Sequence, residues 1–381
     1  MRFRSRICDL FGIEHPVVLA GMGGAAGPDL AAAVSEAGGL GVLGAAACTP
    51  EQLDDWITRA RKLTDAPFGV DTLLPASVPR SVGGNGGGAG GDERPSIPPE
   101  VLEARDEFMA EHGLAVPERR PAGRSRPPRR ALVRDFFDAQ LEVVLDHGVA
   151  VYAAGLGVPP EDFMRKGRQK GMRFMGVAGN TRHARKLADA GVDAVVAQGT
   201  DGGGHNTPIG TLALVPQVVD EAAPLPVLAA GGIADGRGIA AAFMLGAQGV
   251  WVGTRFLATR EADIPEYQKR ALLAATERDT VVSRSISGKP ARLLRGAWTD
   301  VYERGEIEAL PMPYQGIVAG PVLKAAIDGE RADVYPGIAG QAVGLIRDLP
   351  PAADVVAQLV AEATERLAGV RSLDGVVAEI H

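Results

Sequence analysis

Only two of the 381 residues are cysteine, Cys8 and Cys48. Two thiols cannot staple a chain of this length, so both read as reduced, small apolar fillers in a cytoplasmic protein. The six histidines fall at no spacing that suits a metal, and no metal site is expected. An excess of positive charge is missing too. The formal net charge is −7, which argues against general affinity for nucleic acid. Neither end carries a long apolar run. Met1 to Arg6 is basic but leads into an amphipathic segment rather than a signal-peptide core, so neither membrane insertion nor export is expected.

Glycine is what the chain has in quantity, 50 residues in all. Much of it falls where apolar runs end. The run at 193–196 leads into Ala197-Gln198-Gly199-Thr200-Asp201-Gly202-Gly203-Gly204-His205. Successive glycines let backbone approach a flat or anionic ligand closely. A histidine at the end of such a loop is placed to exchange a proton with that ligand. The plainer reading, a glycine-rich turn with a bystander histidine, weakens once two further runs end the same way. One ends in Gly231-Gly232-Ile233-Ala234-Asp235, with Asp235 placed to cap a helix over 238–245. The other ends in Gly253-Thr254-Arg255-Phe256. Two neighbouring strand ends with bare N–H groups make a phosphate cradle, the arrangement that follows strands 7 and 8 of a (β/α)₈ barrel.

Counting strands supports that architecture. Apolar runs occur at 16–20, 41–45, 68–74, 149–154, 173–178, 194–198, 226–230 and 249–252. Helical patterns separate them at 29–37, 51–63, 131–146, 161–170, 181–190, 212–222 and 238–245, and 264–275 supplies an eighth. Regular alternation implies a parallel sheet, and eight units imply a closed TIM barrel rather than an open doubly wound sheet. Strands that are apolar throughout, rather than alternating, fit burial on both faces.

Several of these stretches resemble the nitronate monooxygenase family, FMN-dependent barrels formerly called 2-nitropropane dioxygenases. The resemblance is carried by residues 7–16, Ala37-Gly38-Gly39-Leu40-Gly41, the loop to His205, Ala229-Ala230-Gly231-Gly232-Ile233, Gly253-Thr254-Arg255-Phe256 and Ser287-Gly288-Lys289-Pro290-Ala291-Arg292. It covers nearly the whole chain outside about 75–130. It implies FMN with its phosphate on Gly231, Gly232, Gly253 and Thr254, and Met22 and Gly23 against the ring. Asp71 and Gln198 would meet the ring's polar edge, with Gly203 and Gly204 close by and His205 as the catalytic base. The implied reaction is oxidation of an alkyl nitronate or nitroalkane with O2. FMN enoyl-thioester reductases and NAD(P)H:quinone reductases share most of these motifs and form the first alternative. A non-redox phosphosugar barrel and a flavin-binding module without catalysis are the others. The chain departs from the family pattern where Gly21 replaces proline in Ala-Pro-Met, where Asp71 replaces asparagine, and where Asp201-Gly202 replaces Glu-Ala.

The remaining organisation is a barrel over 1–278, an insertion at about 75–130, and a C-terminal helical subdomain over 279–381 beside the barrel mouth. Within the insertion, 81–98 has linker composition, 98–114 reads as a short helix, and Arg119 to Arg130 is strongly basic. A solvated loop is favoured for the basic stretch over a lid that attracts an anionic substrate. In the C-terminal part, 352–367 is an amphipathic helix and 321–327 another, and the segment is expected to bring Gly340-Gln341 to the mouth. A homo-oligomer is compatible with this plan.

Overall fold

A computed structural model describes residues 4–74, 97–116 and 134–369. Most of the linker-like segment 81–98 and the whole basic run from Arg119 to Arg130 lie outside the described residues. Helix α1 (Arg6–Phe11) precedes a regular alternation: β1 (Val17–Leu19), α2 (Pro28–Glu36), β2 (Gly41–Gly44), α3 (Pro50–Leu63) and β3 (Phe68–Leu73). The insertion helix α4 (Pro99–Glu111) follows, then α5 (Arg134–His147), β4 (Val151–Leu156), α6 (Glu161–Gln169), β5 (Arg173–Ala178), α7 (Thr181–Asp189) and β6 (Ala194–Gln198). After the short strand β7 (Gly204–His205), the alternation resumes with α8 (Thr211–Ala222), β8 (Val227–Ala230), α9 (Gly236–Met244) and β9 (Gly249–Val252).

Eight of these strands form one parallel sheet in the order β1-β9-β8-β6-β5-β4-β3-β2. A parallel bridge between Val18 and Leu40 joins its two edges, with the Leu40 N–H on the Val17 carbonyl at 3.0 Å and the Leu19 N–H on the Leu40 carbonyl at 2.9 Å. The barrel expected from the strand count is the fold found. Its strands are buried on both faces because two cores need them. Val18, Leu40, Val42, Val151, Met175, Val196, Leu228 and Trp251 fill the interior, with Ile7 and Phe11 of α1 packed among them. Leu30, Leu43, Ile57, Tyr152, Phe174 and Ile239 form the layer between sheet and helices. Helix starts carry the caps that the sequence supplies: Thr49 and Gln52 form a reciprocal box on α3, and Asn180 caps α7.

The C-terminal region departs from expectation in two ways. Residues 264–275 do form a helix, α11 (Glu266–Ala274), which follows the single turn α10 (Thr254–Leu257). It does not complete the barrel wall: its Leu272 packs with Leu257, Leu294, Ala339 and Val343. The eighth position belongs to the last helix, α14 (Ala352–Gly369), which lies against both α9 and α2. Its Val355, Val356, Leu359 and Ala363 join the same core as Leu30 and Ile239. Both helices are amphipathic, and periodicity does not say which partner an apolar face meets. Two carboxylates seat α14. Glu261 accepts the Ala352 N–H and Glu362 the Gly236 N–H, each at 2.9 Å.

Second, the region is not purely helical. Strands β10 (Thr280–Ser283) and β11 (Ala291–Leu294) form a hairpin, and β11 pairs antiparallel with β7, His205 opposite Ala291 and Gly204 opposite Arg292. Helices α12 (Ala297–Glu303) and α13 (Tyr314–Asp328), the latter containing the expected 321–327, then pack on the insertion helix. Phe108 of α4 meets Trp298 of α12 edge-on at 5.0 Å, beside Val318 and Val322. No helix among the described residues is long and apolar enough to cross a membrane.

The contact between α9 and α14 generates a test. A Cβ on Gly236 would come within 2.3 Å of the Ala363 backbone nitrogen. Gly236→Val should therefore destabilise the protein by about 1–3 kcal/mol, the usual cost of overpacking, read as a lowered denaturation midpoint. An unchanged midpoint would place α14 elsewhere.

Candidate active site

Because the sheet is parallel, every strand delivers its C-terminal residue to the same rim. That rim gathers Met22 and Gly23 after β1, Asp71 in β3, Gln198 at the end of β6, Gly231 and Gly232 after β8, and Gly253 and Thr254 after β9. His205 reaches it on β7, which leaves the barrel to pair with the C-terminal hairpin.

The loop between β6 and β7 is compressed against its neighbours, and that explains its glycines. A Cβ on Gly199 would lie 2.4 Å from the Thr211 nitrogen, and one on Gly202 3.3 Å from the Gly231 Cα. Gly203 has backbone on its open side as well. Its Cβ would sit 2.8 Å from the Gly340 nitrogen, and a Cβ on Gly340 would sit 2.6 Å from the Asp201 carbonyl oxygen. Gly204 differs: it has free space but a φ of +74°, which a side chain would strain. Bare backbone at Gly203 thus serves a loop-to-loop clamp rather than an open ligand face. Hydrogen bonds complete the clamp. The Gln341 N–H donates to the Asp201 carbonyl and the Gly340 N–H to the Thr254 hydroxyl, both at 2.9 Å. Arg292, buried on β11, donates from Nε to the Thr200 carbonyl at 2.8 Å and from a terminal nitrogen to the Thr280 hydroxyl at 3.0 Å.

These contacts present His205. Its backbone carbonyl accepts from the Gln198 side-chain nitrogen at 2.7 Å. Its Nε2 lies 2.6 Å from the Ser287 hydroxyl, and Ser287 also accepts the Lys289 N–H at 3.3 Å. The residue keeps exposed surface at the mouth. Burial, and then the nearby Lys289 charge, lower its pKa from the ordinary 6.5. The imidazole is therefore neutral near pH 7 and able to accept a proton. Sequence reasoning does not reach Ser287 or the positioning roles of Gln198 and Arg292. Ser287 belongs to a stretch that carries the family resemblance, but only pairing of β11 with β7 puts it on the histidine.

The glycines after β8 and β9 form the anion-friendly part of the rim. Gly231 and Gly232 have φ of +97° and +75°. No side chain caps the start of α10 at Gly253. Thr254 accepts the Gly340 N–H, which leaves its own O–H free to donate. Helix α9 begins at Gly236, two residues before the expected start, with Asp235 as its cap. Its first amides are consumed: Glu362 takes Gly236, and Asp235 takes Arg237 and Gly238. An anion would be held by the two strand-end turns, not by that helix.

Asp71 is the electrostatic outlier. It is only 6% exposed, and its Oδ1 accepts the Gly155 N–H at 2.8 Å. Burial raises the carboxyl well above the ordinary 3.8, and the Gly155 hydrogen bond offsets only part of that. Burial thus favours the protonated form of Asp71, which can donate as well as accept. A Cβ on Gly21 would lie 2.2 Å from both the Cβ and Oδ2 of Asp71. With the side chain at 71 in this position, residue 21 has room only for hydrogen.

The fold and the strand-end cluster define a closed-barrel protein with one chemical centre at its C-terminal mouth. The sequence profile of nitronate monooxygenase matches residues 4–362, and the chain belongs to that family, which makes it an oxidoreductase. A Mycobacterium tuberculosis protein named as a monooxygenase is 39% identical over 380 residues, covering 97% of this chain and 99% of its own. A Rhodococcus jostii protein named as an octahydro-indene-carboxyl-CoA dehydrogenase is 32% identical over 97% of this chain and 98% of its own. Among solved structures, a nitroalkane oxidase from Streptomyces ansochromogenes superposes with a TM-score of 0.78 at 33% identity, covering 96% of this chain and 100% of its own.

Asp71 supplies a test of the site's electrostatics. Below pH 3.8 the carboxyl is protonated in folded and unfolded chains alike and costs nothing. As the pH rises above that, the unfolded chain releases the proton while the folded site retains it, so stability falls until the folded pKa is passed. Asp71→Asn, equal in shape, should raise the melting temperature at pH 7–8, and the gain should vanish towards pH 4. A gain independent of pH would show that Asp71 is ionised in the folded protein.

Proposed function

We propose that this chain is an FMN-dependent oxidoreductase that oxidises alkyl nitronates, and nitroalkanes after deprotonation, with O2. The observation that carries the reading is a neutral histidine, fixed by Ser287 and Gln198, on the same rim as an uncapped double-glycine cradle. The residues present fit the cofactor. Positive-φ turns at Gly231 and Gly232, the amides at Gly253 and Thr254 and the free Thr254 O–H suit a phosphate. Met22 and Gly23 would lie against the ring, and Asp71 and Gln198 would face its polar edge, with Gly203 and Gly204 shaping the loop beside it. Bound FMN supplies two-electron acceptance and subsequent reaction with oxygen.

The protein's own part is acid–base and positional. A neutral imidazole at the mouth can take the α-proton of a nitroalkane, and Ser287 fixes the ring while it does so. For a nitronate, which has already lost that proton, the same ring and the Lys289 charge would hold the anionic nitro group. Buried, unpaired Cys8 and Cys48 suit a reducing cytoplasm. A second reading, an FMN-dependent oxidoreductase of a thioester with NAD(P)H as reductant, is favoured by the likeness to the CoA dehydrogenase and by a cation beside His205.

Two measurements test the first reading. Gly232→Leu places a side chain on a positive-φ residue of the cradle and should yield protein that purifies without FMN; normal flavin content would remove the phosphate from this turn. His205→Asn should keep FMN and stability while losing about 10²–10⁴-fold in turnover of neutral nitroalkanes, with a much smaller loss on pre-formed nitronates. In the unsubstituted protein the nitroalkane rate should hold as the pH falls to 6.5 and drop only below it, because the base has a lowered pKa. Equal losses on both substrate forms would make His205 a binding group, not a base.

A further inference from the structure

The rim beside His205 carries more positive charge than the chemistry above uses, which draws on Lys289 alone. Helix α7 begins there, after β5, and its sequence offers Arg182, His183, Arg185 and Lys186. Arg185 is spent on Glu221 of α8. Arg182 and Lys186, one helical turn apart and both exposed, form no ion pair among the described residues. Lys289, from the loop between β10 and β11, is likewise unpaired among them.

Backbone contacts bring these cations together. The Thr207 hydroxyl donates to the Gly179 carbonyl, which ties the segment after His205 to the loop that opens α7. The Asn206 N–H donates to the Pro290 carbonyl at 3.3 Å, which ties the same segment to the Lys289 turn. His183 sits between the two groups. Its pKa is lowered by burial first, and then by the charges of Arg182, Lys186 and Lys289 together. Lys289 also acts on His205, so one cation bears on both imidazoles.

Several cations elsewhere on the surface are paired. Arg165 and Lys166 share Asp162, Arg237 has Asp235, and Arg331 has Asp333. Leaving three cations unpaired around one imidazole costs repulsion, and an anion binding there would relieve it.

We propose that Arg182, Lys186 and Lys289 form an anion subsite that takes the nucleotide phosphates of a ligand whose reactive end lies at His205. The ligand class is an adenosine-phosphate conjugate, of which coenzyme A thioesters and NADPH are the two sources with suitable chemistry. The inference rests on the reading of His205 as the centre of reaction, and it adds a polyanionic ligand to that site.

The test uses the flavin-loaded protein and an Arg182→Gln/Lys186→Gln double variant, titrated calorimetrically with coenzyme A, dephospho-coenzyme A, NADPH and NADH at low and high salt. Coenzyme A or NADPH should bind, weaken about tenfold or more in the variant, and weaken again in high salt. Weaker binding of dephospho-coenzyme A than coenzyme A, with NADPH inert, identifies the thioester tail. Weaker binding of NADH than NADPH, with anaerobic bleaching of the flavin, identifies the reductant. FMN content and propyl nitronate turnover should be unchanged in the variant. No saturable binding of any of the four, or binding indifferent to the double substitution, overturns the subsite. Absent nitronate turnover with intact coenzyme A binding would instead sink only the nitronate reading.

Discussion

The contact on which the site depends is backbone against backbone: the loop 201–204 pressed onto 339–341. Neither Gly203 nor Gly340 tolerates a Cβ, the Gln341 N–H joins the two loops at the Asp201 carbonyl, and the Gly340 N–H ties the second loop to Thr254. This fixes three things at once. The β6–β7 loop is turned so that β7 can pair with β11. The pairing puts Ser287 on the histidine. Thr254 is pinned by Gly340, which aims its remaining O–H. A clamp of this kind gains little from apolar burial and instead satisfies backbone groups at close range, where an unpaired amide would be costly.

Much of the barrel is legible in the sequence because its physics is local. Buried parallel strands read as short apolar runs, glycine marks their ends, and the two βα turns after β8 and β9 announce an anion cradle. The bounds of β5, β6 and β9 match the expected runs. What is not legible is non-local. Residues 264–275 and 352–367 each make an amphipathic helix, and only packing decides that the second joins α9 and α2. The choice turns on Gly236 and on the Glu261 and Glu362 carboxylates, which sit about a hundred residues from their partners in sequence. The hairpin after residue 279 escapes the sequence pattern for a related reason: β10 and β11 are four residues each and gain their order by pairing with each other and with β7.

The candidate site divides in the same way. His205 and the cradle glycines can be named from residue type and place on a strand end, and Asp71 from the family resemblance. Their partners cannot. Its place at a strand end assigns Gln198 to a ligand, yet its amide nitrogen is turned to the His205 carbonyl. Asp71 stands out as a departure from asparagine, but the upward shift of its carboxyl follows from burial, and the lack of room at residue 21 follows from the 2.2 Å that a Cβ there would leave to its side chain. An asparagine presents a fixed donor and acceptor; a protonated aspartate presents the same pair but can lose the donor. With its proton held, the aspartate keeps the hydrogen-bonding pattern of asparagine while making it dependent on the surrounding charge.

That dependence bears on how the proposed cofactor and the proposed base could be coupled. Asp201 lies next to Gly232, where a Cβ would come within 3.3 Å of it, and accepts the Gln341 N–H through its carbonyl and the Thr211 N–H through its carboxylate. Thr254, at the other half of the cradle, is bonded to Gly340, the neighbour of Gln341. An anion drawn into the cradle would thus pull on both ends of the clamp that orients His205. Because Ser287 reaches the imidazole only through the β11–β7 pairing, a looser clamp would move the ring relative to its hydroxyl. Packed contacts of this kind hold or release rather than stretch. The proposed cofactor site and acid–base site are in that sense one mechanical unit, built from chain segments far apart in sequence.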